Sequence, residues 1–458
     1  MSNSPKNQGV DMTSGTEWKS ILLFALPIMA GQFLQQLYNT VDGIVVGNYV
    51  SEAALGSVGA CSTLAFLFLA LSVGFGNGCG VMIAQLFGAK QVEKLKQAVS
   101  TSMIVIFTFG VIMTLIGYFG AEALVIHVLN IHEPELVDLS TVYFAVYSLG
   151  LVFQFLYNCV ASILRAVGDS KATLYFLCVS ALLNLVLDVL FVAVFRWSIT
   201  GAAAATVISQ LVCCVVCFVY MFKKYPMFRF RPKEFRFSPE YGKLCVQLGF
   251  PLTVQQSIVG LGNIFMQRLV NYFGAVTMAA FTCGGRFESY CMIPALGFNS
   301  AMAMFTGQNV GAGRIDRVDR AMKDTMKLAM GITLAIATVL FLGAYPLAGL
   351  FGVEDESLRQ AVDYLRTVSY FMVIFAMYLT MNGVIQGSGD VGYSSFCSLF
   401  TLGVRLALSY TLVFVFDFSY YVIWRCIPVG WIIGLFMAMA RLKSGKWKSK
   451  AIVGGQQP

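Results

Sequence analysis

Charge is what this chain has least of. Only 12% of its 458 residues are Asp, Glu, Lys or Arg, about half the roughly 25% of an ordinary soluble domain, so a water-soluble globular fold is excluded. Histidine is scarcer still. The two present, His127 and His132, sit at a loop expected on the outer side, too few for a histidine metal cage. No GxxxxGK[ST] phosphate loop, HExxH pair or Ser/His pairing within a helix is present, so the parts for ATP-driven pumping or hydrolysis are missing and no enzyme activity is expected. Period-two alternation is absent from the long apolar segments, which argues against an outer-membrane barrel. The first seventeen residues are polar, and no short apolar segment with a cleavage site follows them. A removable signal peptide is therefore not expected.

What is abundant is apolar surface: 58% of residues are hydrophobic and the mean hydropathy is +0.74. A hydrocarbon layer of roughly 30 Å takes about 20 apolar residues per helical crossing, and such runs recur at residues 18–47, 54–82, 96–120, 137–163, 173–195, 199–222, 244–270, 277–304, 322–345, 360–385, 394–416 and 421–440. The expected fold is an all-α polytopic membrane protein with twelve transmembrane helices. The net charge of +8 is unevenly placed. Basic residues follow the even-numbered spans, as in Lys90, Lys94 and Lys96, the segment from Lys223 to Lys243, Arg314 to Lys323, and Arg441 to Lys450, whereas Glu133, Glu135 and Asp138 or Glu354, Asp355 and Glu356 follow odd-numbered ones. Cytoplasmic loops collect Lys and Arg, so both termini are expected in the cytoplasm; nucleic acid is not an expected partner. All twelve cysteines lie in or beside apolar spans and read as small buried hydrophobes, with no disulfide framework.

The chain repeats itself. AQLFGA and GQNVGAG share Gln85/Gln308, Gly88/Gly311 and Ala89/Ala312, a displacement of 223 residues; LPIMAGQFLQQLYN and FPLTVQQSIVGLGN share Pro27/Pro251, Gln32/Gln256 and Asn39/Asn263; RAVGDS and QGSGDV share Gly168/Gly389 and Asp169/Asp390. Three blocks in one order at nearly one offset imply two pseudo-symmetric six-helix lobes. The expected organisation is a cytoplasmic tail (1–17), a first lobe (18–222), a basic linker (223–243), a second lobe (244–440) and a cytoplasmic tail (441–458). An even number of helices per lobe starts both on the same side, relates them by an axis along the membrane normal, and leaves a cleft between. The aromatic and basic linker reads chiefly as a tether at the headgroups, with a lipid site as a second possibility.

Comparing the halves isolates polar residues that only one carries. In span one Gln32, Gln35, Asn39 and Asp42 recur at steps of three, four and three, on one helical face. The counterpart of Asp42 is Met266. In span five Asn184 and Asp188 are four apart on one face, and their counterparts are Arg405 and Ser409. A carboxylate at membrane depth costs about 2.5–3.5 kcal/mol on insertion scales, so such residues face a bundle interior or a water-filled cavity. Capping or bonding a neighbouring helix is the alternative for each acid taken alone; two acids and an amide confined to one half favour a cation site. Thr206 in span six either joins that site or bonds its own backbone. Span four carries Tyr143, Tyr147, Gln154 and Asn158 near one face, and packing explains the tyrosines as well as function does.

LYNTVDGIVVG, ALGSVGA, AQLFGA, GQNVGAG and RAVGDS, in this order and over essentially the whole chain, resemble the multidrug and toxin extrusion (MATE) family of secondary transporters. The resemblance implies export of organic, often cationic compounds in exchange for H+ or Na+. It implies a first-lobe cation site at Asp42, Asn184, Asp188 and Thr206, to which Na+ is a possible ligand, with Tyr143 in the same network. It also implies bending near Pro27. Some branches use acids on helices seven and ten, and span seven here carries Gln255, Gln256, Asn263 and Gln267 instead, which leans towards the DinF-like branch. Glu288 is either a structural partner of Arg286 or of another helix, or a contact for cationic substrate.

Two carboxylates in one low-dielectric pocket repel, and a bound proton or Na+ relieves that repulsion. Occupancy that favours one facing of the lobes then couples cation entry to export. Candidate cleft residues are Gln35, Tyr38, Asn39, Asn158, Gln256, Asn263, Met266, Glu288 and Met292, the methionines equally readable as core. A lipid-linked saccharide flippase is the alternative function; it calls for a more basic cleft than Arg268, Arg286 and Arg405 provide. A channel needs no such one-sided acids. The expected setting is the inner membrane of a prokaryote, with the bilayer and small organic substrates as partners, no cofactor beyond the coupling ion, and a functional monomer.

Overall fold

The computed structural model describes residues 10–49, 52–231, 234–349 and 355–453, with side chains omitted for 38–49, 52–55 and 355. Among the described residues there is no strand. The membrane helices are α1 (Glu17–Tyr49), α2 (Glu52–Gly88), α3 (Val92–Phe119), α4a (Pro134–Ser148) and α4b (Leu151–Ala166), α5 (Ser170–Asp188), α6 (Ser198–Lys224), α7 (Pro239–Tyr272), α8 (Ala275–Gly311), α9 (Ile315–Leu342), α10 (Asp355–Gly387), α11 (Val391–Phe414) and α12 (Val422–Lys443). Ten of them are long and apolar enough to cross a membrane unaided. The pair α4a and α4b, bent by 44° at its break, forms an eleventh crossing. The twelfth is α8, whose 37 residues extend about 55 Å at 1.5 Å per residue. Helices are the form this composition must take, because in hydrocarbon each backbone N–H and C=O has to be satisfied within its own segment.

The duplication read from the sequence is carried into the element ends. Helices α3 and α9 are each 28 residues long, and α2 and α8 end at Gly88 and Gly311. Gly168 and Gly389 both take positive φ, +90° and +95°, which an L side chain rarely adopts. Each turns the chain into a buried aspartate that begins the next helix. Asp169 Oδ1 accepts from Ala172 N at 3.2 Å, while its Oδ2 accepts from Lys224 Nζ at 2.9 Å, Tyr220 at 2.9 Å and Tyr225 at 2.7 Å. Asp390 Oδ2 accepts from Arg441 Nε at 2.6 Å. The third repeat block is thus a clasp, tying the start of α5 to the end of α6 and the start of α11 to the end of α12.

The chain packs as two compact units, and two of their three boundaries fall inside helices. One comprises Ala30–Thr253 with the N-terminal stretch to Asp11; the other comprises Met12–Met29 with Val254–Pro458. Both helical boundaries lie two residues past a repeated proline, Pro27 in α1 and Pro251 in α7. The first half of α1 therefore packs within the second unit. Gln308 Oε1 accepts from Met12 N at 2.9 Å, Arg314 donates to Thr13 O at 2.7 Å, and Arg317 pairs with Glu17 at 3.3 Å. Correspondingly, the start of α7 packs within the first unit, where a Cβ on Gly78 would lie 2.5 Å from the backbone of Gly249. Only glycine admits backbones this close.

The first unit is centred on Phe75, Phe109 and Phe155, with ring centroids 4.8 and 5.6 Å apart. The second is centred on α10, with Tyr364 packed edge-on to Phe281 and Trp424. Large apolar side chains elsewhere point outward, Phe119 and Leu342 at 79% and 72% exposure among them, in the directions a bilayer would cover.

Candidate cation and substrate site

Helix α5 is strongly two-sided. Leu182 and Val186 are 64% and 62% exposed, while Asn184 and Asp188 on the other face are 3% and 1% exposed. The polar pair thus points into the first unit, and not outward among the apolar side chains. Asn184 Nδ2 donates to Thr206 Oγ1 at 3.5 Å, and Thr206 Oγ1 donates to Ala202 O at 3.0 Å. Thr206 thus bonds its own helix, the second of the two roles its sequence allowed, and in addition receives the amide of α5. The close approach depends on the small residues of α6. Gly201, Ala202, Ala203 and Ala205 are buried, and a Cβ on Gly201 would come within 3.1 Å of Phe191.

Asp188 occupies a special place in its helix. It is the last residue with α-helical hydrogen bonding, and Val189–Val194 continue as a π-helix. Such segments are rare and recur at functional sites. Nothing in VLFVAV announces it. The site offers carboxylate, amide and hydroxyl oxygen, a hard donor set suited to H+ or Na+ and not to soft metals. Among the described residues no cluster of three His, Cys, Asp or Glu side chains is placed to hold a metal.

Tyr143 is half-buried in α4a and stacks on Tyr147 at 6.4 Å and 13°. Asn158 turns its amide to packing: Nδ2 donates to Ser72 Oγ and to Gln154 O, both at 3.0 Å, joining α4b to α2. The backbone of Tyr38, Asn39 and Asp42 belongs to α1, but their side chains lie outside the described residues. Gln35 is exposed, and Pro27 sits half-buried within α1.

In the second unit Gln256 and Met292 are half-buried and Asn263 is exposed. Met266, readable from the sequence as cleft or as core, takes the core position. It is 1% exposed and forms one stripe with Leu269 and Val270 in the apolar core, because its spacing of three and four to those residues puts it on the packed face of α7. Met292 packs against that same core. Glu288 accepts a hydrogen bond from Tyr364 of α10, with the Arg405 guanidinium within electrostatic reach; among the described residues it forms no ion pair with the exposed Arg286. Neither Tyr364 nor its role was visible in the sequence, since its partner lies 76 residues away.

Comparison with known proteins fits this architecture. Residues 27–190 and 251–411 match the model of the MatE family, one match in each repeat. The chain is 27% identical over 445 residues to the probable multidrug resistance protein YoeA of Bacillus subtilis, with 95% of each chain covered. Its fold matches that of a MATE crystallised in complex with MaL6 at a TM-score of 0.90 and 25% identity, covering 96% of this chain and 99% of that one. A transporter of the MOP superfamily from Pyrococcus furiosus, for which reverse polarity of the binding pocket suggests a different function, matches at a TM-score of 0.89 and 25% identity, covering 97% and 100%.

Proposed function

The chain belongs to the MatE family, and on that premise we propose that it is a secondary active antiporter exporting organic, often cationic and amphipathic, compounds in exchange for H+ or Na+. The coupling cation enters the first unit at Asp188, Asn184 and Thr206, with Asp42 of α1 and Tyr143 completing the site. The observation that carries this reading is the inward-facing polar pair of α5 bonded to α6, in a helix whose opposite face is apolar and exposed. An ionised carboxylate at that depth is costly unless compensated. A proton or Na+ supplies the compensation, and its release restores the penalty.

The second repeat supports assigning the exchangeable cation to the first unit alone. The counterpart of Asn184 is Arg405, so the second unit has a fixed positive charge near Glu288 where the first has a neutral amide. A tethered guanidinium cannot dissociate, and no gradient can act through it. Cation occupancy need only favour one facing of the transporter, and substrate the other, for export to be driven. Bending of α1 at Pro27, where the ring removes one helical hydrogen bond, is the proposed route by which occupancy is transmitted. The basic loops support a cytoplasmic position for both termini and the linker.

The experiment is transport in proteoliposomes under imposed pH or Na+ gradients, with a fluorescent organic cation as substrate. Asp188→Asn keeps the shape and hydrogen-bonding capacity but removes the charge; gradient-driven export should fall to background with melting temperature preserved. Undiminished export by the folded variant would remove Asp188 from the coupling site.

A further inference from the structure

One cavity of the first unit, lined by none of the proposed cation-site residues, lies beneath the linker between α6 and α7. It has a volume of about 600 Å³, with Phe107 of α3, Leu156 of α4b and Phe222 of α6 in its apolar walls and Arg229, Phe230 and Arg231 of the linker at its basic end. That volume is within the range of roughly 300–1,000 Å³ typical of ligand pockets. We propose that this pocket binds one anionic phospholipid, with an acyl chain among the phenylalanines and the phosphate on Arg229 and Arg231.

The linker forms a constructed wall. Glu234 pairs with Lys96 at 3.7 Å and accepts from Arg231 N at 2.9 Å, Ser100 Oγ donates to Arg236 O at 3.0 Å, and Ser238 N donates to Thr101 Oγ1 at 3.0 Å. Phe230 and Phe235 meet edge-on at 5.7 Å. Arg229 is held against the end of α6, its Nε donating to Phe222 O at 2.7 Å and its Nη2 to Lys223 O at 3.4 Å. Among the described residues neither Arg229 nor Arg231 has a carboxylate within ion-pair distance, since Glu234 is engaged by Lys96. Glu234 stands within electrostatic reach of Arg231 without closing an ion pair with it, so both guanidiniums keep donor capacity at the basic end of the apolar pocket.

Depth fits a chain lying along the helices. Phe107 is fifteen residues beyond Val92, the first residue of α3, or about 22 Å along the axis, whereas the arginines lie in the loop outside the spans. A soluble anion would gain nothing from the walls, and a zwitterionic lipid little from the paired guanidiniums. A cationic organic substrate would be repelled by them. Guanidinium recognition of a phosphate combined with apolar burial of a tail meets both halves of the pocket.

The test is native mass spectrometry of the full chain, delipidated in detergent and titrated with dioleoylphosphatidylglycerol, dioleoylphosphatidylcholine or glycerol 3-phosphate. One phosphatidylglycerol should bind at least tenfold more tightly than phosphatidylcholine, and glycerol 3-phosphate should not displace it. Arg231→Gln should weaken that binding about fivefold and the Arg229→Gln/Arg231→Gln pair about 30-fold, as expected for one and two basic contacts at an anionic lipid. Leu156→Trp, which fills the pocket and spares both arginines, should abolish the tight site. Equal binding of the two lipids, displacement by glycerol 3-phosphate, or unweakened binding in Arg231→Gln would overturn the proposal. The Arg231 guanidinium makes no bond among the described contacts, so this variant decides the matter even if loss of Arg229 disturbs the end of α6.

Discussion

Asp169 shows how much one carboxylate can organise outside the hydrocarbon. Burial alone would raise its pKa, but hydrogen bonds from Lys224, Tyr225 and Tyr220, together with the Lys224 charge, outweigh it and hold the carboxyl below its ordinary value. A depressed folded-state pKa contributes stability that is present above the unfolded value of about 3.9 and lost as pH falls through the folded one. The melting temperature in detergent should therefore be insensitive to this group from pH 7 to about 5 and should drop below about pH 4, with part of that acid limb missing in Asp169→Asn. Asp169→Ala should cost about 2–4 kcal/mol, from the lost cap on Ala172 and the stranded Tyr225 hydroxyl. Lys224 contributes little to that figure, since its side chain is 45% exposed and rehydrates. A melting curve unchanged in Asp169→Ala would contradict the clasp. The GDS and GDV blocks were visible in the sequence as a repeat, yet not as clasps, because Lys224 and Arg441 lie 55 and 51 positions further along.

Among the elements, length and number were legible and irregularity was not. The twelve apolar runs became twelve crossings, because hydrocarbon leaves an isolated segment no alternative to the helix. The break between α4a and α4b and the π-helix after Asp188 depend on neighbours and left no local mark. Helix contact is likewise specific. Gly78→Ala puts a Cβ 2.5 Å from the Gly249 backbone, with backbone on both sides and no flexible atom to yield. It should lower stability by about 1–3 kcal/mol through forced separation of α2 and α7. Gly285→Ala, on α8, meets nothing within 4 Å and should be neutral or slightly stabilising in the same melting assay, as removal of a helical glycine ordinarily is. Equal melting of the two variants would show that α2 and α7 do not pass at backbone contact.

For the whole molecule, the charge asymmetry of the loops predicts orientation. A C-terminal fluorescent protein that matures only in the cytoplasm should be bright, and alkaline phosphatase at the same position inactive; the reverse would place the linker and its arginines on the opposite face of the membrane. The two units also differ in a way that simple duplication would not produce. The position of Asp42 is repeated as Met266, a core residue, and that of Asn184 as Arg405. The carboxylates of Asp42 and Asp188 occur in one copy only, and a fixed cation replaces the amide in the other. The proposed coupling reads this asymmetry as the reason why one unit, and not both, exchanges a cation.

The sequence by itself determined the class, the number of crossings, the duplication and the confinement of the intramembrane acids of α1 and α5 to the first half. Those properties follow from composition and from periodicity along a single segment. Only the tertiary structure decided that Asn184 and Thr206 meet, that Met266 is core, that Tyr364 serves Glu288, and that the first turns of α1 and α7 pack in the unit opposite their own repeat. Each of these depends on which face of one helix meets which face of another, and a lone helix in lipid has no preferred partner until the whole bundle has chosen its packing.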